Sequence, residues 1–296
     1  MVDDGSAAAA AFEAPSGDID LAECDSAARP IGPHNKSAAK AALIELSDRL
    51  VGLQAMLLAQ GKSGNPRRVL LILQGMDTCG KDGVIKHVLG GLNPAGVHVA
   101  SFEKPTREER EHHFLWRIER QVPAPGIIGA FNRSYYEDVL VPRVHGHFTE
   151  SVWLRRYDEI NSFEQRLTEQ GVLLIKCFLH ISPRVQEKRL LARLDNPKKS
   201  WKYDPDDVTE RASWNSYLNA YNNALTACTS PDAPWWIIPS DHKWYRNWAV
   251  AALLVQRLQD LDLCFPPPPP DTHGERARII ATRVDNHNGA ADGSHE

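Results

Sequence analysis

The stretch Arg-Val-Leu-Leu-Ile-Leu-Gln-Gly-Met-Asp-Thr-Cys-Gly-Lys-Asp-Gly, residues 68–83, decides the fold of this chain. Residues 69–73 form a continuous apolar run, which is typical of a strand buried in a parallel sheet. Residues 75–83 form a glycine-rich loop, and a helix-like segment follows from Val84 to Leu89. A loop between a strand end and a helix start presents unpaired N–H groups to anions. The stretch therefore predicts a phosphate loop.

Two residues in this loop depart from the common pattern G-x-x-x-x-G-K-[ST]. Asp82 replaces the Ser or Thr whose hydroxyl contacts Mg²⁺, and Asp77 adds a carboxylate inside the loop. Lys81 keeps its place, where it would reach the transferring phosphates. The alternative is a glycine-rich turn in which Asp82 and Lys86 form a surface pair at i,i+4, and the strand–loop–helix context disfavours it.

The bulk composition is that of a globular chain with an uneven charge distribution. With 296 residues, 42% of them hydrophobic, the chain can bury a large core. The net charge of −4 argues against a general nucleic-acid-binding protein. Between Arg184 and Lys202, however, the sequence contains seven basic and two acidic residues, which gives a local net charge of +5. That segment is suited to holding a polyanion.

The cysteine pattern and the hydropathy pattern both favour a cytoplasmic protein. The five cysteines are widely spaced, without a C-x-x-C pair, so neither a disulfide framework nor a zinc site is indicated. The histidines of His112-His113 and His145-Gly-His147 lack a third ligand at suitable spacing. No apolar run approaches the roughly 20 residues of a membrane span, and the N-terminus lacks a signal pattern. We expect neither secretion nor a membrane partner.

Composition divides the chain into three parts. Residues 1–35 are rich in Ala, Asp, Gly and Ser and predict a mobile N-terminal arm. Residues 263–296 contain the polyproline run Pro266–Pro270 and predict a flexible tail. Residues 36–262 are expected to form the folded domain, with a lid at about 184–212.

Strand-like and helix-like segments alternate through this domain. This order predicts an α/β architecture of three layers, a five-stranded parallel sheet flanked by helices. The five predicted strands are Val69 to Leu73, Val97 to Phe102, Ile127 to Phe131, Val172 to Leu179 and Trp235 to Ile238.

Helix signals lie between the strands. A long amphipathic helix is predicted from about Lys36 to Gln60, either packed on the sheet or at a subunit interface. Capping signals mark further helix starts at Thr106 with Glu109, at Ser182-Pro183 and at Asp204-Pro205. An aromatic stripe with helical spacing follows, which we interpret as helix core rather than as a base-stacking surface. Its members are Trp214, Tyr217, Leu218, Tyr221 and Leu225.

A second polar loop, residues 131–138, follows the third predicted strand. Ligands of open α/β sheets lie beyond the carboxyl ends of the strands, so this loop should lie beside the phosphate loop. Asn132 offers only a neutral oxygen where a metal-directing carboxylate is common, so Asp77 and Glu137 or Asp138 must balance the metal charge. Arg133 can bind phosphate oxygens bidentately. The alternative is an Arg133–Glu137 surface pair at i,i+4.

The basic segment predicts a lid over the transferring phosphates. Arg189 and Arg193 share one helical face before a proline-marked break, and Lys199 and Lys202 follow. A basic lid excludes water and neutralises developing charge. A solvated charged surface is the alternative, which the phosphate loop makes less favourable.

Several blocks in order resemble the polyphosphate kinase 2 family, which moves phosphoryl groups between inorganic polyphosphate and nucleotides. The similarity spans about residues 20 to 255. The blocks are Gly75-Met76-Asp77, Gly80-Lys81-Asp82-Gly83, Leu115-Trp116-Arg117, residues 131–138, Trp201-Lys202 and Lys243-Trp244-Tyr245-Arg246-Asn247. The resemblance implies a P-loop kinase-like core with a helical lid, dependence on Mg²⁺ with Mn²⁺ as a second candidate, and a homo-oligomer, dimer or tetramer. It also implies that Asp77, Lys81 and Arg133 belong to the active site.

The Asn-Arg-Ser-Tyr-Tyr-Glu-Asp form of the second loop resembles the subgroup that accepts AMP as well as ADP. Glu137 is the carboxylate that this resemblance marks as special. Two departures from the family pattern are Thr78-Cys79, where small Ala residues are common, and Glu103, where Lys is usual. The second departure puts a phosphate-channel role for Lys104 in doubt.

Together with the resemblance, these observations predict an Mg²⁺-dependent phosphotransferase that acts between polyphosphate and nucleotides, so that AMP and ADP become ADP and ATP. Adenine nucleotides are the expected acceptors, with guanine nucleotides as further candidates. The predicted catalytic residues are Asp77, Lys81, Arg133 and Glu137, with Asp77 and Glu137 as metal ligands. The predicted phosphate-binding residues are Gly75, Gly80, Asp82, Gly83, Lys86 and Asn132. The alternatives are an ATP-dependent nucleoside monophosphate kinase and, in another class, a nucleotide-driven ATPase or switch protein.

Overall fold

The protein folds around one parallel β-sheet. The computed structural model describes residues 7–282. The five strands of the sheet run in the order β2-β3-β1-β4-β5, and every neighbouring pair is parallel. The strands are β1 Arg68–Gln74, β2 Val97–Ser101, β3 Ile128–Asn132, β4 Val172–His180 and β5 Trp235–Pro239. The predicted α/β architecture is confirmed, and each predicted strand end agrees within one residue.

The central strands are covered on both faces. Leu71 in the middle of β1 lies between Ala130 of β3 and Ile175 of β4. All three residues are fully buried, because helices pack on either side of a parallel sheet. The carboxyl ends of β1 and β3 therefore open side by side at one edge of the sheet, which is where the phosphate loop and the second loop begin.

Helices and short helical turns connect the strands. The α-helices are α1 Ala8–Phe12, α2 Lys36–Lys62, α3 Lys81–Val84, α4 Arg107–Glu111, α5 Trp116–Glu119, α6 Glu137–Val144, α7 Glu150–Glu169, α8 Pro183–Leu194, α9 Asp206–Ala212, α10 Trp214–Ala227, α11 Lys243–Gln259 and α12 Thr272–Ala281. A π-helical turn, Ile85–Leu89, continues α3, and 3₁₀ turns lie at Pro94–Gly96 and Ser200–Lys202. None of the helices within residues 7–282 is long and apolar enough to cross a membrane.

Two of the three predicted capping signals form in the structure, whereas α9 begins one residue later than predicted, with Pro205 in place of Asp204 at the N-cap. The Thr106 and Glu109 side chains complete a reciprocal capping box at α4, and Ser182 accepts a hydrogen bond from the Val185 N–H at the start of α8. The helix after the capping box is shorter than the sequence suggests. It ends at Glu111, and the apolar residues that follow belong to the separate helix α5.

The N-terminal segment differs from the predicted mobile arm over residues 7–35. Helix α1 buries Phe12, whose ring meets the Tyr245 ring edge-on at 6.2 Å between centroids. The backbone N–H of Ala14 then donates to the Trp235 carbonyl of β5 at 2.8 Å, and Leu21 is fully buried. The large apolar residues of this polar segment, Phe12, Ile19 and Leu21, are therefore buried, and Ile31 packs against the core. Residues 1–6 lie outside the described part.

The C-terminal segment forms a compact unit of its own. The chain divides into residues 1–264 and 265–296, close to the predicted start of the tail. Within the described part of the second unit, Pro266–Pro270 adopt neither helix nor strand. Helix α12 follows, capped by Asp271, which accepts from the Gly274 N–H at 2.7 Å. The remainder of the predicted tail, residues 283–296, lies outside the described residues.

Candidate active site

The phosphate loop leaves β1 after Gln74 and enters α3 at Lys81. Gly75 and Gly80 have φ angles of 143° and 108°, in the region that favours glycine. Lys81 is buried and its Nζ donates to the Gly75 carbonyl at 2.9 Å. The ammonium group therefore joins the two ends of the loop. Thr78, also at positive φ, has a buried hydroxyl without a hydrogen-bond partner, a strained conformation of the kind found at functional sites.

Three of the four predicted catalytic residues meet in one cluster. Arg133, at the end of β3, donates to Asp77 Oδ1 at 2.8 Å and to Glu137 Oε2 at 3.2 Å. The i,i+4 pair with Glu137 that we weighed as a surface alternative thus forms. The same guanidinium also reaches across to the phosphate loop, because β1 and β3 are neighbours in the sheet. Glu137 first, and then Asp77, raise the pKa of Arg133 above its ordinary value, so it stays charged.

The Glu137 carboxylate has a second, buried support. The Gln74 amide, oriented so that its nitrogen faces Glu137, donates to Oε1 at 3.1 Å while its oxygen accepts from Ser134. Gln74 is fully buried at the end of β1. Each carboxylate oxygen of Glu137 therefore accepts one hydrogen bond, Oε1 from Gln74 and Oε2 from Arg133, and these two contacts fix its position.

Helix α10 places two phenols near the same carboxylates. Tyr221 is buried in the core, as the sequence predicted, and burial raises its pKa, with Glu137 as the next cause. Burial likewise raises the pKa of Tyr217, followed by its hydrogen bond to Glu210. Both rings therefore remain protonated and serve as neutral neighbours of the acidic cluster.

Asp82 occupies the other side of the loop. Its Oδ1 accepts from the Asn132 amide at 2.9 Å, and its Oδ2 accepts from Lys202 Nζ at 2.6 Å. The hydrogen bond from Lys202 is the largest of the effects that lower the pKa of Asp82. The residue that replaces the usual hydroxyl thus joins the loop to the end of β3 and to the lid segment.

The two lid arginines contact protein groups in this structure, and their predicted contacts with phosphate oxygens stay a prediction. Arg189 on α8 donates to the carbonyls of Thr78 and Cys79 at 2.9 and 3.1 Å, and also to those of Ser240 and Asp241. Arg193 donates to Asp207 Oδ2 at 2.8 Å. Carbonyl and carboxylate oxygens are thus the acceptors of both guanidinium groups. Lys86 and Lys199 are exposed.

Two cationic residues near the loop, Lys243 and Arg246, were not predicted as site residues. In the sequence they belonged only to a block that resembles the family. Arg246, in the first turn of α11, is buried and its NH1 donates to the Cys79 carbonyl at 2.8 Å. Lys243 precedes it by one turn, and its pKa is lowered by burial first and then by Arg189. The motif Lys-Trp-Tyr-Arg-Asn was the only available signal, because 160 or more residues separate it from the loop that it contacts.

Behind the second loop lies a buried ion pair. Tyr135 and Tyr136 donate their hydroxyls to Glu164 Oε1 at 2.6 and 2.7 Å. Lys176 Nζ contacts Glu164 Oε2 at 2.6 Å and donates to the Cys228 carbonyl at 2.6 Å. The two tyrosines between Arg133 and Glu137 are thereby anchored to α7 and β4.

The donor set near the loop fits a magnesium ion that is shared with a phosphorylated substrate. Within residues 7–282, no group of three or more His, Cys, Asp or Glu side chains could hold a metal by itself. Mg²⁺ is usually bound by one or two carboxylates together with phosphate oxygens and water. Asp77 and Glu137, bridged by Arg133, supply two carboxylates beside the loop.

Comparisons with known proteins agree with this geometry. The family model for polyphosphate kinase 2 matches residues 34–264. An AMP/ADP-polyphosphate phosphotransferase of Meiothermus ruber is 46% identical over 79% of this chain and 86% of its own length. An ADP-polyphosphate phosphotransferase of Rhodopseudomonas palustris is 42% identical over 74% of this chain and 78% of its own. The crystal structure of polyphosphate kinase 2 from Arthrobacter aurescens TC1 superposes with a TM-score of 0.90 at 46% identity, covering 93% of this chain and 97% of that one. This chain belongs to the polyphosphate kinase 2 family.

Proposed function

We infer that this protein transfers the terminal phosphoryl group of inorganic polyphosphate to AMP and ADP, forming ADP and ATP. The observation that carries this inference is the Asp77–Arg133–Glu137 cluster, which lies directly beside a phosphate loop closed by Lys81. The activities named for the Meiothermus ruber and Rhodopseudomonas palustris relatives identify the donor and the acceptors.

The residues supply positioning and charge rather than a proton acceptor. A nucleotide phosphate oxygen is ionised at neutral pH, so phosphoryl transfer to it needs no strong general base. Lys81 and Arg133 would stabilise the oxygens of the transferring group. Mg²⁺, or Mn²⁺ in its place, would be held by Asp77 and Glu137 and would neutralise phosphate charge when bound. Guanine nucleotides are proposed as further acceptors.

A cationic group beside the loop supports the polyphosphate assignment. Burial lowers the pKa of Lys243, and three neighbouring cations, Arg189, Lys199 and Arg246, lower it further. Cations that depress one another's pKa are stabilised together by a bound polyanion. We propose that the donor chain lies along these residues, with Lys86 and Lys202 as further contacts.

The substitution Asp77→Asn tests the assignment of the site. It removes the charge that pairs with Arg133 and would bind the metal, while preserving size. We expect a folded protein that has lost most polyphosphate-dependent formation of ADP from AMP, measured by resolving the nucleotides after incubation with Mg²⁺. Asp232→Asn, at an exposed position just before β5, is the matched control and should retain activity. Normal turnover by Asp77→Asn would reject the proposed role of the cluster.

The same assay separates the alternative functions. Replacing polyphosphate with ATP as the donor to AMP detects a nucleoside monophosphate kinase. Incubating ATP without any acceptor detects a nucleotide-driven ATPase or switch. We expect both reactions to be slow beside transfer from polyphosphate, and a dominant rate in either would replace the proposed function.

We also propose a homo-oligomer, dimer or tetramer, in the cytoplasm. Ile44 and Val51 lie seven residues apart on α2 and are 57% and 45% exposed, which suits a helix face at a subunit interface. Light scattering after gel filtration gives the subunit number. All five cysteines, which lie in the described part, are unpaired, as expected in a reducing compartment.

A further inference from the structure

Arg246 is a buried cation that supports the phosphate loop from its protein side. It is 2% exposed, its NH1 donates to the Cys79 carbonyl at 2.8 Å, and its NH2 donates to Asn247 Oδ1 at 2.8 Å. Arg189 donates to the same Cys79 carbonyl at 3.1 Å. Two guanidinium groups from different helices, α8 and α11, therefore converge on one carbonyl oxygen of the loop.

Two glycines of the loop motif leave the space that this guanidinium occupies. A Cβ atom added to Gly80 would lie 1.8 Å from Arg246 NH1, and one added to Gly83 would lie 2.6 Å from NH2. Gly80 also needs its positive φ angle. Gly83 lies in α3 and needs no positive φ angle, and the three atoms nearest to its added Cβ all belong to the guanidinium of Arg246. The third glycine of the loop is therefore accounted for by its contact with Arg246.

The described part of the chain gives this guanidinium no carboxylate partner. Burial, and to a smaller extent nearby Arg189, lowers the pKa of Arg246 to about 10, so the side chain is still charged at neutral pH. An uncompensated buried cation is unfavourable by itself. A phosphate in the loop would supply the missing negative charge.

We propose that Arg246 is a positioning residue for phosphoryl transfer: it sets the shape of the phosphate loop through Cys79, Gly80 and Gly83 and keeps positive charge beneath it. The inference rests on the proposed function of the loop. It assigns a role to a residue on the last helix of the domain, far from the loop in sequence.

The test compares Arg246→Lys, Arg246→Gln, Gly83→Ala and the double variant Arg246→Gln with Gly83→Ala. A misplaced loop should lower kcat by about 100-fold in Arg246→Gln with little change in either KM. Arg246→Lys should recover part of the rate, because it keeps the charge. Gly83→Ala should also lower kcat, since its methyl group displaces the guanidinium. In the double variant the displaced group is gone, so the loss should not exceed that of Arg246→Gln alone.

Arg257→Gln on the same helix is the matched control and should keep the wild-type kcat, because Arg257 pairs with Asp260 away from the loop. Thermal unfolding of each variant corrects rates for the folded fraction. Wild-type kcat in folded Arg246→Gln, or additive losses in the double variant, would overturn the proposal. If Arg246→Gln does not fold, the kcat values of folded Arg246→Lys and Gly83→Ala test the proposal, and wild-type kcat in both would overturn it. A wild-type protein without polyphosphate-dependent activity would instead reject the proposed function.

Discussion

Two lysine–carboxylate pairs in this protein have the same length and opposite surroundings. Lys176 and Glu164 are 2.6 Å apart with side chains 0% and 4% exposed, whereas Lys202 and Asp82 are 2.6 Å apart with side chains 37% and 62% exposed. Water screens the second pair and solvates its partners when they separate. Burial leaves the first pair no such alternative. The buried pair therefore belongs to the permanent framework, while the exposed pair can open.

The positions of the two pairs match these roles. Lys176–Glu164 anchors the two tyrosines that lie between Arg133 and Glu137. Lys202–Asp82 connects the proposed lid segment to the phosphate loop, on the side where we propose that substrate binds. A contact that can open is useful there, and a contact that cannot open is useful beneath the catalytic cluster.

Breaking the buried pair should have the largest effect on stability. Lys176→Met keeps much of the side-chain volume but leaves the Glu164 carboxylate buried without its cation. We expect the free energy of unfolding to fall by about 3–5 kcal/mol, measured by denaturant unfolding. A loss below about 1 kcal/mol would show that Glu164 is neutralised without Lys176, and the comparison between the two pairs would fail.

The matched substitution at the exposed pair should affect stability much less. Lys202→Met removes a contact that solvent screens, so we expect a change in unfolding free energy of at most about 1 kcal/mol. The lid segment, residues 183–212, should become more accessible to protease, and kcat should fall because Asp82 loses its lid partner. Raising the salt concentration should increase lid cleavage in the wild type and have little further effect in Lys202→Met. Equal stability losses in the two lysine variants would remove the distinction between them.

The sequence predicted the sheet more fully than the site. Short apolar runs bounded by turn signals, such as Leu70 to Leu73, indicate buried strands, because local hydrophobicity determines burial in a parallel sheet. The meeting of Asp77 with Arg133 also follows from strand ends that share one edge. The Lys176–Glu164 pair could not be predicted in this way, because its partners come from α7 and β4 and only the packing of these elements brings their charges together.

The N-terminal segment and the lid show the same limit. Residues 7–35 have too few apolar residues for a pattern to indicate packing, yet Phe12 and Leu21 are buried. Arg189 has the composition of a phosphate-facing lid residue, but its guanidinium binds backbone carbonyls. Backbone acceptors have no sequence signature, so contacts to them cannot be predicted from side-chain pattern.

His180 is a third buried titratable group, four residues beyond Lys176 on β4. Replacing it should have the smallest effect on stability of the changes considered. His180 bonds through Nε2 to the Cys24 carbonyl at 2.9 Å, and burial lowers its pKa below the ordinary value of about 6.5. The folded state therefore resists a proton that the unfolded chain accepts, so stability is lost as the pH falls below about 6.5. His180→Gln keeps a donor without the titration. We expect the unfolding free energy to fall less between pH 7.5 and about 5.5 in this variant than in the wild type. Parallel pH curves would mean that His180 takes up a proton in the folded state, and that the nearby carboxylates of Asp241 and Asp25 offset the effect of burial.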